Sequence, residues 1–139
     1  MEFNILIFLT FTYLFLFSLY HVLTGIVSVF FSDYSLKIYA KIYGYQPKEK
    51  KQLLMTFKPW GTMAIGIGLI GFITLMSLEI YSLMLIAFIV VLGVRAGYRF
   101  FLRSDLYDYW SVKPLQNWRM ILIQLMGIGI FVSYLIYAI

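Results

Sequence analysis

Apolar residues fill four long stretches of the chain, and these stretches alternate with shorter segments that carry most of the charges. A membrane-spanning helix needs about 20 mostly apolar residues to cross the hydrocarbon core of a bilayer. The four stretches cover residues 3–31, 60–78, 81–102 and 115–139. The pattern predicts an all-α integral membrane protein, a bundle of four transmembrane helices that forms one domain over residues 1–139.

The segment 33–58, between the first two stretches, is amphipathic and basic. Asp33 is a favourable residue at the start of a helix and Gly44 is typical of a helix end. Lys37 and Lys41 are one turn apart and share one face of such a helix. We therefore expect a short helix between Asp33 and Gly44 that lies on the lipid headgroups.

The remaining connections differ in length. Residues 77–82 join the second and third stretches so tightly that we expect these two helices to pack as an antiparallel hairpin. Pro59 precedes the second stretch, and we expect it in the first turn of that helix, where a missing N–H has no cost.

The basic residues are distributed asymmetrically. All 11 lysines and arginines lie in or beside the two longer connections. Because basic loops stay on the cytoplasmic side, the chain is predicted to lie in the cell (plasma or inner) membrane with both connections in the cytoplasm. Both termini are predicted on the outer side of that membrane. Trp60, Trp110 and Trp118 lie on the same side, at positions typical of an interfacial aromatic belt. The net charge of +5 thus indicates a membrane partner and no nucleic acid.

Small residues recur with helical spacing in the apolar stretches. Lipid provides little hydrophobic drive for helix association, so small residues mark the surfaces where helices pack. We expect each stripe to face the bundle centre, and its glycines to pack against other helices. These glycines are Gly25, Gly61, Gly68, Gly71, Gly93, Gly97 and Gly127.

His21 lies within the first stretch, on its small-residue face. Ionisable residues at such depth are costly and often functional, although a neutral imidazole bonded to a neighbouring group is an alternative. Polar members of the stripes form a candidate ligand-binding set for a lipid or quinone. The set contains His21, Ser28, Gln124 and Tyr134.

The third stretch carries a row of arginines at four-residue spacing. Arg95, Arg99 and Arg103 lie on one stripe, roughly opposite Gly93 and Gly97. Long basic side chains near a helix end can reach lipid phosphates, so we expect the row, with Lys37 and Lys41, to contact anionic lipid headgroups. A voltage-sensing row is an alternative, but the other stretches lack deep acidic partners.

The chain lacks the sequence signatures of several catalytic classes. It has no cysteine and one histidine, which excludes disulfides, thiol catalysis and a histidine-built metal site within one chain. Gly66-x-Gly68-x-x-Gly71 matches the dinucleotide fingerprint, but that motif requires a preceding strand, whereas these glycines lie in an apolar helix. We therefore predict no catalytic residues, metal or obligatory cofactor, and do not favour an enzyme.

The order of elements resembles the DoxX-like family of small four-helix membrane proteins. The resemblance rests on His21 with Gly25, on Tyr43-Gly44 after an amphipathic segment, and on Lys58-Pro59-Trp60-Gly61 before a glycine-rich helix. It implies an antiparallel four-helix fold. It also implies links to quinone-dependent oxidoreductase subunits, membrane redox-stress complexes and assembly factors.

Three functions remain open on the sequence. The first is a non-catalytic accessory or assembly subunit of a larger membrane protein complex, favoured by the small size and the absence of a catalytic constellation. The second is a four-helix membrane module that binds a lipid or quinone. The third is a membrane subunit of a quinone-linked oxidoreductase.

Overall fold

In the computed structural model, residues 5–43, 50–108 and 112–137 are described, and these ranges contain six helices and no strand. The helices are α1 (Ile5–Phe30), α2 (Ser32–Tyr43), α3 (Lys50–Met76), α4 (Ser82–Phe101), α5 (Arg103–Asp108) and α6 (Pro114–Tyr137). The predicted all-α fold is confirmed for this part of the chain.

Four of the helices are long and apolar enough to cross a membrane. They are α1, the part of α3 from Phe57 to Met76, α4 and α6. Each coincides with one of the four predicted stretches to within a few residues at either end. Membrane insertion itself stays a prediction.

The predicted interfacial helix corresponds to α2, which begins almost directly after α1. The backbone N–H of Ser35 donates to the carbonyl of Phe31 over 2.9 Å, so the chain bends without a long loop. Because α2 starts at Ser32, Asp33 lies in its first turn, where its negative charge interacts favourably with the helix dipole. Gly44, the predicted end, lies outside the described residues.

Pro59 lies well inside α3 and not in its first turn, so that prediction is wrong. Proline lacks the N–H that would bond the carbonyl one turn earlier. Helices of membrane type tolerate this loss when neighbouring groups satisfy the freed backbone. Despite Pro59, α3 continues from Lys50 through the basic segment and into the apolar stretch without interruption.

The most extensive packing joins α1 to α3, followed by α4 to α6, whereas α3 and α4 make only a small contact. The expected hairpin packing of the second and third stretches is therefore wrong. Glycines explain why α1 packs against α3. A Cβ added at Gly25 would lie 2.6 Å from the carbonyl oxygen of Gly61. A Cβ at Gly68 would likewise lie 2.7 Å from the carbonyl oxygen of Ser18. Close backbone approach thus selects α1 and α3 as partners.

The bundle has two halves of different character. The half in which α1 begins and α6 ends, called here the apolar half, holds one cluster of buried large side chains. This apolar core consists of Leu14, Leu85, Phe88, Leu92, Phe131 and Tyr134. The other half adjoins the basic connections and is called the basic half. There the chain turns through α5, which the sequence did not predict and which buries Leu106.

Candidate ligand-binding cavity

A cavity of about 560 Å³ lies in the basic half, and all six helices contribute to its wall. Its volume falls within the range of roughly 300–1,000 Å³ that is typical of small-molecule sites. Most of the wall is apolar or aromatic. The charged, amide, imidazole and aliphatic hydroxyl groups in it come from His21, Thr24, Arg95, Arg99 and Gln124. No aspartate or glutamate lines the cavity within the described part of the chain.

His21 is 3% exposed and lies at the wall between α1 and α4. Nη1 of Arg95 lies 2.6 Å from its Nε2, and Nδ1 lies 2.7 Å from the carbonyl oxygen of Phe17. A guanidinium only donates hydrogen bonds, so Nε2 must accept and the proton must reside on Nδ1, which donates to Phe17. The geometry therefore assigns a neutral imidazole in the Nδ1–H tautomer.

Aromatic rings hold this imidazole in place. The ring centroids of His21 and Phe17 are 4.0 Å apart, and the ring of Tyr20 meets that of His21 edge-on at 5.3 Å. With both nitrogens bonded and two aromatic rings packed against it, the imidazole has a fixed orientation. His21 consequently serves as a rigid acceptor that positions the guanidinium of Arg95.

The predicted arginine row divides into two parts. Arg95 and Arg99 line the cavity, so they lie on the inner face of α4. Arg103 is exposed, and its guanidinium lies 5.1 Å from the ring centroid of Phe100. The reason is that α4 ends at Phe101, so Arg103 belongs to α5 and not to the stripe. Contact of these arginines with lipid headgroups stays a prediction.

The expectation that the stripe with Gly93 and Gly97 faces the bundle centre is wrong. A Cβ at either position would meet nothing within 4 Å, so neither glycine packs against another described part of this chain. The arginines on the opposite side of α4 take the inner face, and the glycines are turned outward. If α4 spans a membrane as predicted, the cost of charged groups in lipid would explain this orientation.

Asn117 links the helices at the basic end of the cavity and is 1% exposed. Its Oδ1 accepts from Nη1 of Arg99 over 3.1 Å, and its Nδ2 donates to the carbonyl oxygen of Arg99 over 3.1 Å. A weaker contact of 3.4 Å joins Nδ2 to the hydroxyl of Tyr107 in α5. These bonds fix both the backbone and the side chain of Arg99.

Gln124 provides a buried polar group that the protein leaves unsatisfied. Its side chain is 5% exposed and lines the cavity, yet Oε1 has no hydrogen-bond partner among the described residues. An unsatisfied buried acceptor costs about 1–3 kcal/mol, so such groups usually meet a water or a ligand. The carbonyl of Gln124 therefore marks a place where a donor from a bound molecule would be stabilised.

The other predicted site residues lie elsewhere. Ser28 shares a 2.9 Å hydrogen bond with Ser35, and both hydroxyls are buried between α1 and α2. Tyr134 belongs to the apolar core, away from the cavity wall. Lys37 and Lys41 are exposed on α2. The structure thus brings together His21 and Gln124 of the predicted ligand-binding set, and Ser28 and Tyr134 have other positions.

Several cavity residues were not singled out from the sequence. Tyr13, Phe17 and Thr24 line the wall beside His21, and the hydroxyl of Tyr13 donates to the carbonyl of Ile123 over 2.9 Å. Together with His21 they follow one another at intervals of four, four and three residues, which places them on one face of α1. That periodicity was the signal in the sequence from which these residues could have been predicted to lie beside His21.

Comparisons with protein-family models, with curated proteins and with solved structures found no match for this chain. The resemblance to DoxX-like proteins therefore stays a prediction. The fold is a bundle of four long apolar helices, and its cavity has a mostly apolar wall that includes two arginines.

Proposed function

We propose that this protein spans a membrane and binds one lipid-like or quinone-like small molecule in the cavity of its basic half. The observation that carries the proposal is a mostly apolar cavity of about 560 Å³ whose wall includes Gln124, a side chain with an unsatisfied carbonyl oxygen. Sites for small molecules combine an apolar wall with a few polar groups that orient the ligand. His21, Arg95 and Gln124 are those groups here.

Placement in a membrane is supported by the outer surface. Large apolar side chains are exposed along every long helix, with Leu83 and Phe101 at 74% and 79% exposure. A water-soluble monomer rarely exposes apolar surface on this scale. With the basic connections in the cytoplasm, the cavity would lie toward the cytoplasmic leaflet, from which an amphipathic molecule could enter.

Binding is favoured over catalysis by the chemistry of the wall. Both nitrogens of His21 are engaged in hydrogen bonds, and the described wall offers neither a carboxylate nor a thiol. General acid–base catalysis needs a group that can exchange a proton with the substrate. The arrangement instead presents fixed donors and one open acceptor, which suits recognition.

Native mass spectrometry of the protein, released from nanodiscs or a mild detergent, tests this proposal. We expect the wild type to carry a defined small-molecule adduct and Gln124→Leu to lose most of it. Gln116→Leu is the matched control, because Gln116 also lies in α6 and also has an unpartnered Oε1 but does not line the cavity. A wild type without any adduct, or equal occupancy in both variants, would contradict the proposal.

Assembly with a larger membrane protein, the function that the sequence favours first, stays a prediction. The same spectra check it, because a stoichiometric protein partner would appear as a second mass. A partner would not conflict with ligand binding, since all six described helices of this chain contribute to the cavity wall.

A further inference from the structure

We infer that the molecule bound in the cavity is a neutral hydroxyl compound, an alcohol or a phenol with an apolar body, whose O–H donates to Oε1 of Gln124. This inference rests on the proposed function and deepens it by naming the ligand class. It follows from the position of Gln124 in the wall, from the bonds that neighbouring hydroxyls already make, and from the apolar character of the remaining wall.

Gln124 lies in an apolar part of the wall, about 10 Å along α6 from Asn117 at the basic end. The other cavity-lining residues of α6 are apolar, namely Met120, Ile123 and Met126. The side chain of Gln124 is 5% exposed, and its Oε1 has no partner in the part of the chain that the structure describes. A buried carbonyl without a donor is costly, so a bound molecule that supplies the donor gains affinity.

Hydroxyl groups of the wall are already bonded to backbone carbonyls. The hydroxyl of Tyr13 is placed beside Gln124 by its 2.9 Å bond to the carbonyl of Ile123, the preceding residue. A tyrosine has one O–H, so Tyr13 cannot donate to Gln124 without losing that bond. The hydroxyl of Thr24 likewise donates to the carbonyl of Tyr20 over 2.7 Å. Neither hydroxyl is therefore available to Gln124, whose carbonyl can be satisfied by a donor of the bound molecule.

The need for a donor narrows the ligand class. An ionised carboxylate has no O–H, and an ether or an oxidised quinone offers acceptors only. An ammonium group donates, but burial of an ion in a mostly apolar cavity is costly. A hydroxyl is neutral, donates one hydrogen bond and can still accept from another group of the wall. An alcohol or a phenol therefore meets the requirement of Gln124 at the lowest desolvation cost.

The rest of the wall fits an apolar body. Leu16 and Leu92 line the cavity, together with Met120, Met126 and the ring of Trp60. Methionine side chains are flexible and polarisable, so they adapt to bodies of different length and shape. The cavity volume matches a ligand of drug-like size, which an alkyl chain or a ring with one hydroxyl satisfies.

Competition binding to the protein tests the inference, read by native mass spectrometry in an amine-oxide detergent, whose headgroup has no hydroxyl. The main probes are hexadecanol and its methyl ether, which share one chain and differ in the O–H. We expect hexadecanol to outcompete the ether by about 3- to 10-fold, the value of one net hydrogen bond. A third probe, decylphenol, divides the class. Tighter binding than hexadecanol would indicate a phenolic ligand, and weaker binding an aliphatic alcohol.

Variants of the two glutamines in α6 locate the donor's partner. Gln124→Met keeps the length of the side chain but removes its carbonyl, so it should bind hexadecanol and the ether about equally. Loss of an unsatisfied buried carbonyl does not weaken the fold, which circular dichroism checks, and Gln124→Leu repeats the test with another shape. Gln116→Leu is the matched control, because Gln116 does not line the cavity, and it should keep the wild-type preference.

Two results would overturn the inference and leave the proposed function intact. One is a wild type that binds the ether as tightly as hexadecanol, or more tightly. The other is a preference for hexadecanol that persists in Gln124→Met and Gln124→Leu. If the wild type retains its own adduct but binds none of the three probes, the ligand class is wrong and the cavity remains a binding site. If it has no adduct and binds no probe, both proposals fail.

Discussion

The two halves of the bundle are built from the same four long helices, yet buried side chains fill the apolar half, whereas the basic half contains a cavity. In the apolar half, Leu14, Leu85 and Phe131 are fully buried and fill the centre. In the basic half, a cavity remains, and its mostly apolar wall includes His21, Arg95, Arg99 and Gln124. The same four helices therefore pack closely in one half and leave space in the other.

The buried face of α6 shows the same difference between the two halves. In α6, the buried residues begin with Asn117 and Gln124 at the basic end and finish with Phe131 and Tyr134 at the other. The ring of Phe131 fills space without a hydrogen-bond partner, whereas buried amides must find hydrogen bonds. Along α6, the buried amides therefore lie toward the cavity and the buried aromatic rings toward the other end.

The largest effect should come from truncating the apolar core. Leu14→Ala removes a fully buried side chain, and we expect a loss of about 2–3 kcal/mol in the free energy of unfolding, mainly from the cavity that it leaves. Leu16→Ala, on the same helix but 58% exposed and at the cavity wall, should change it by less than about 0.5 kcal/mol. Unfolding by SDS in mixed micelles, followed by circular dichroism, measures both. Equal losses would contradict the contrast between the halves.

The second-largest loss of stability is expected where the apolar and basic halves meet. A Cβ at Gly127 would lie 2.3 Å from the ring of Tyr13, so Gly127→Ala must displace that ring and weaken its hydrogen bond to Ile123. We expect a destabilisation of about 1–2 kcal/mol. A Cβ at Gly129 would meet nothing within 4 Å, and Gly129→Ala should be neutral or stabilise the helix by up to about 1 kcal/mol. The same unfolding assay compares them, and the same sign for both would count against the packing.

Much of the fold follows from the sequence, because long apolar runs have few other solutions. The four long helices and α2 were predicted in place, and α5 was missed because six residues with three charges give little periodicity. The pairing of α1 with α3 was also missed. It depends on the fit of two glycine faces, at Gly25 and Gly61, and each face looks the same whichever helix it meets.

The site was less predictable, for a reason visible in α4. This helix offers two candidate inner faces, one with Gly93 and Gly97 and one with Arg95 and Arg99. The rule that small residues mark helix contacts favours the glycines, whereas the cost of charge in lipid favours the arginines. The structure has the arginines at the cavity wall, which is the outcome expected of a helix that lies in a membrane. His21 and Gln124 were identifiable because each is a rare polar group on an inner face, with no competing choice.

The next prediction concerns the bond between His21 and Arg95, which crosses from α1 to α4. A double-mutant cycle with His21→Leu and Arg95→Leu should give a coupling energy of about 1.5 kcal/mol, since one partner is charged and both are partly shielded. SDS unfolding of the four proteins supplies the values. Additive losses would mean that the bond contributes nothing to holding the cavity wall.

The smallest effect is expected where α2 joins the basic half. Ser28 and Ser35 share a buried hydrogen bond of 2.9 Å between neutral hydroxyls, so their coupling in a cycle of alanine variants should be about 0.5–1 kcal/mol. This lies below the value for His21 and Arg95 because neither hydroxyl carries charge. Ser133→Ala, in the apolar half of α6, serves as a control without a partner in α2.

The same serine cycle tests whether α2 belongs to the cavity. Ile42 of α2 lines the wall, so a loosened α2 should also weaken retention of the native adduct in Ser28→Ala and Ser35→Ala. Reduced retention with a small loss of stability would show that the basic half depends on α2 for closure more than for folding. Unchanged retention would restrict the working cavity to the four long helices and α5, and would make α2 an interfacial helix alone.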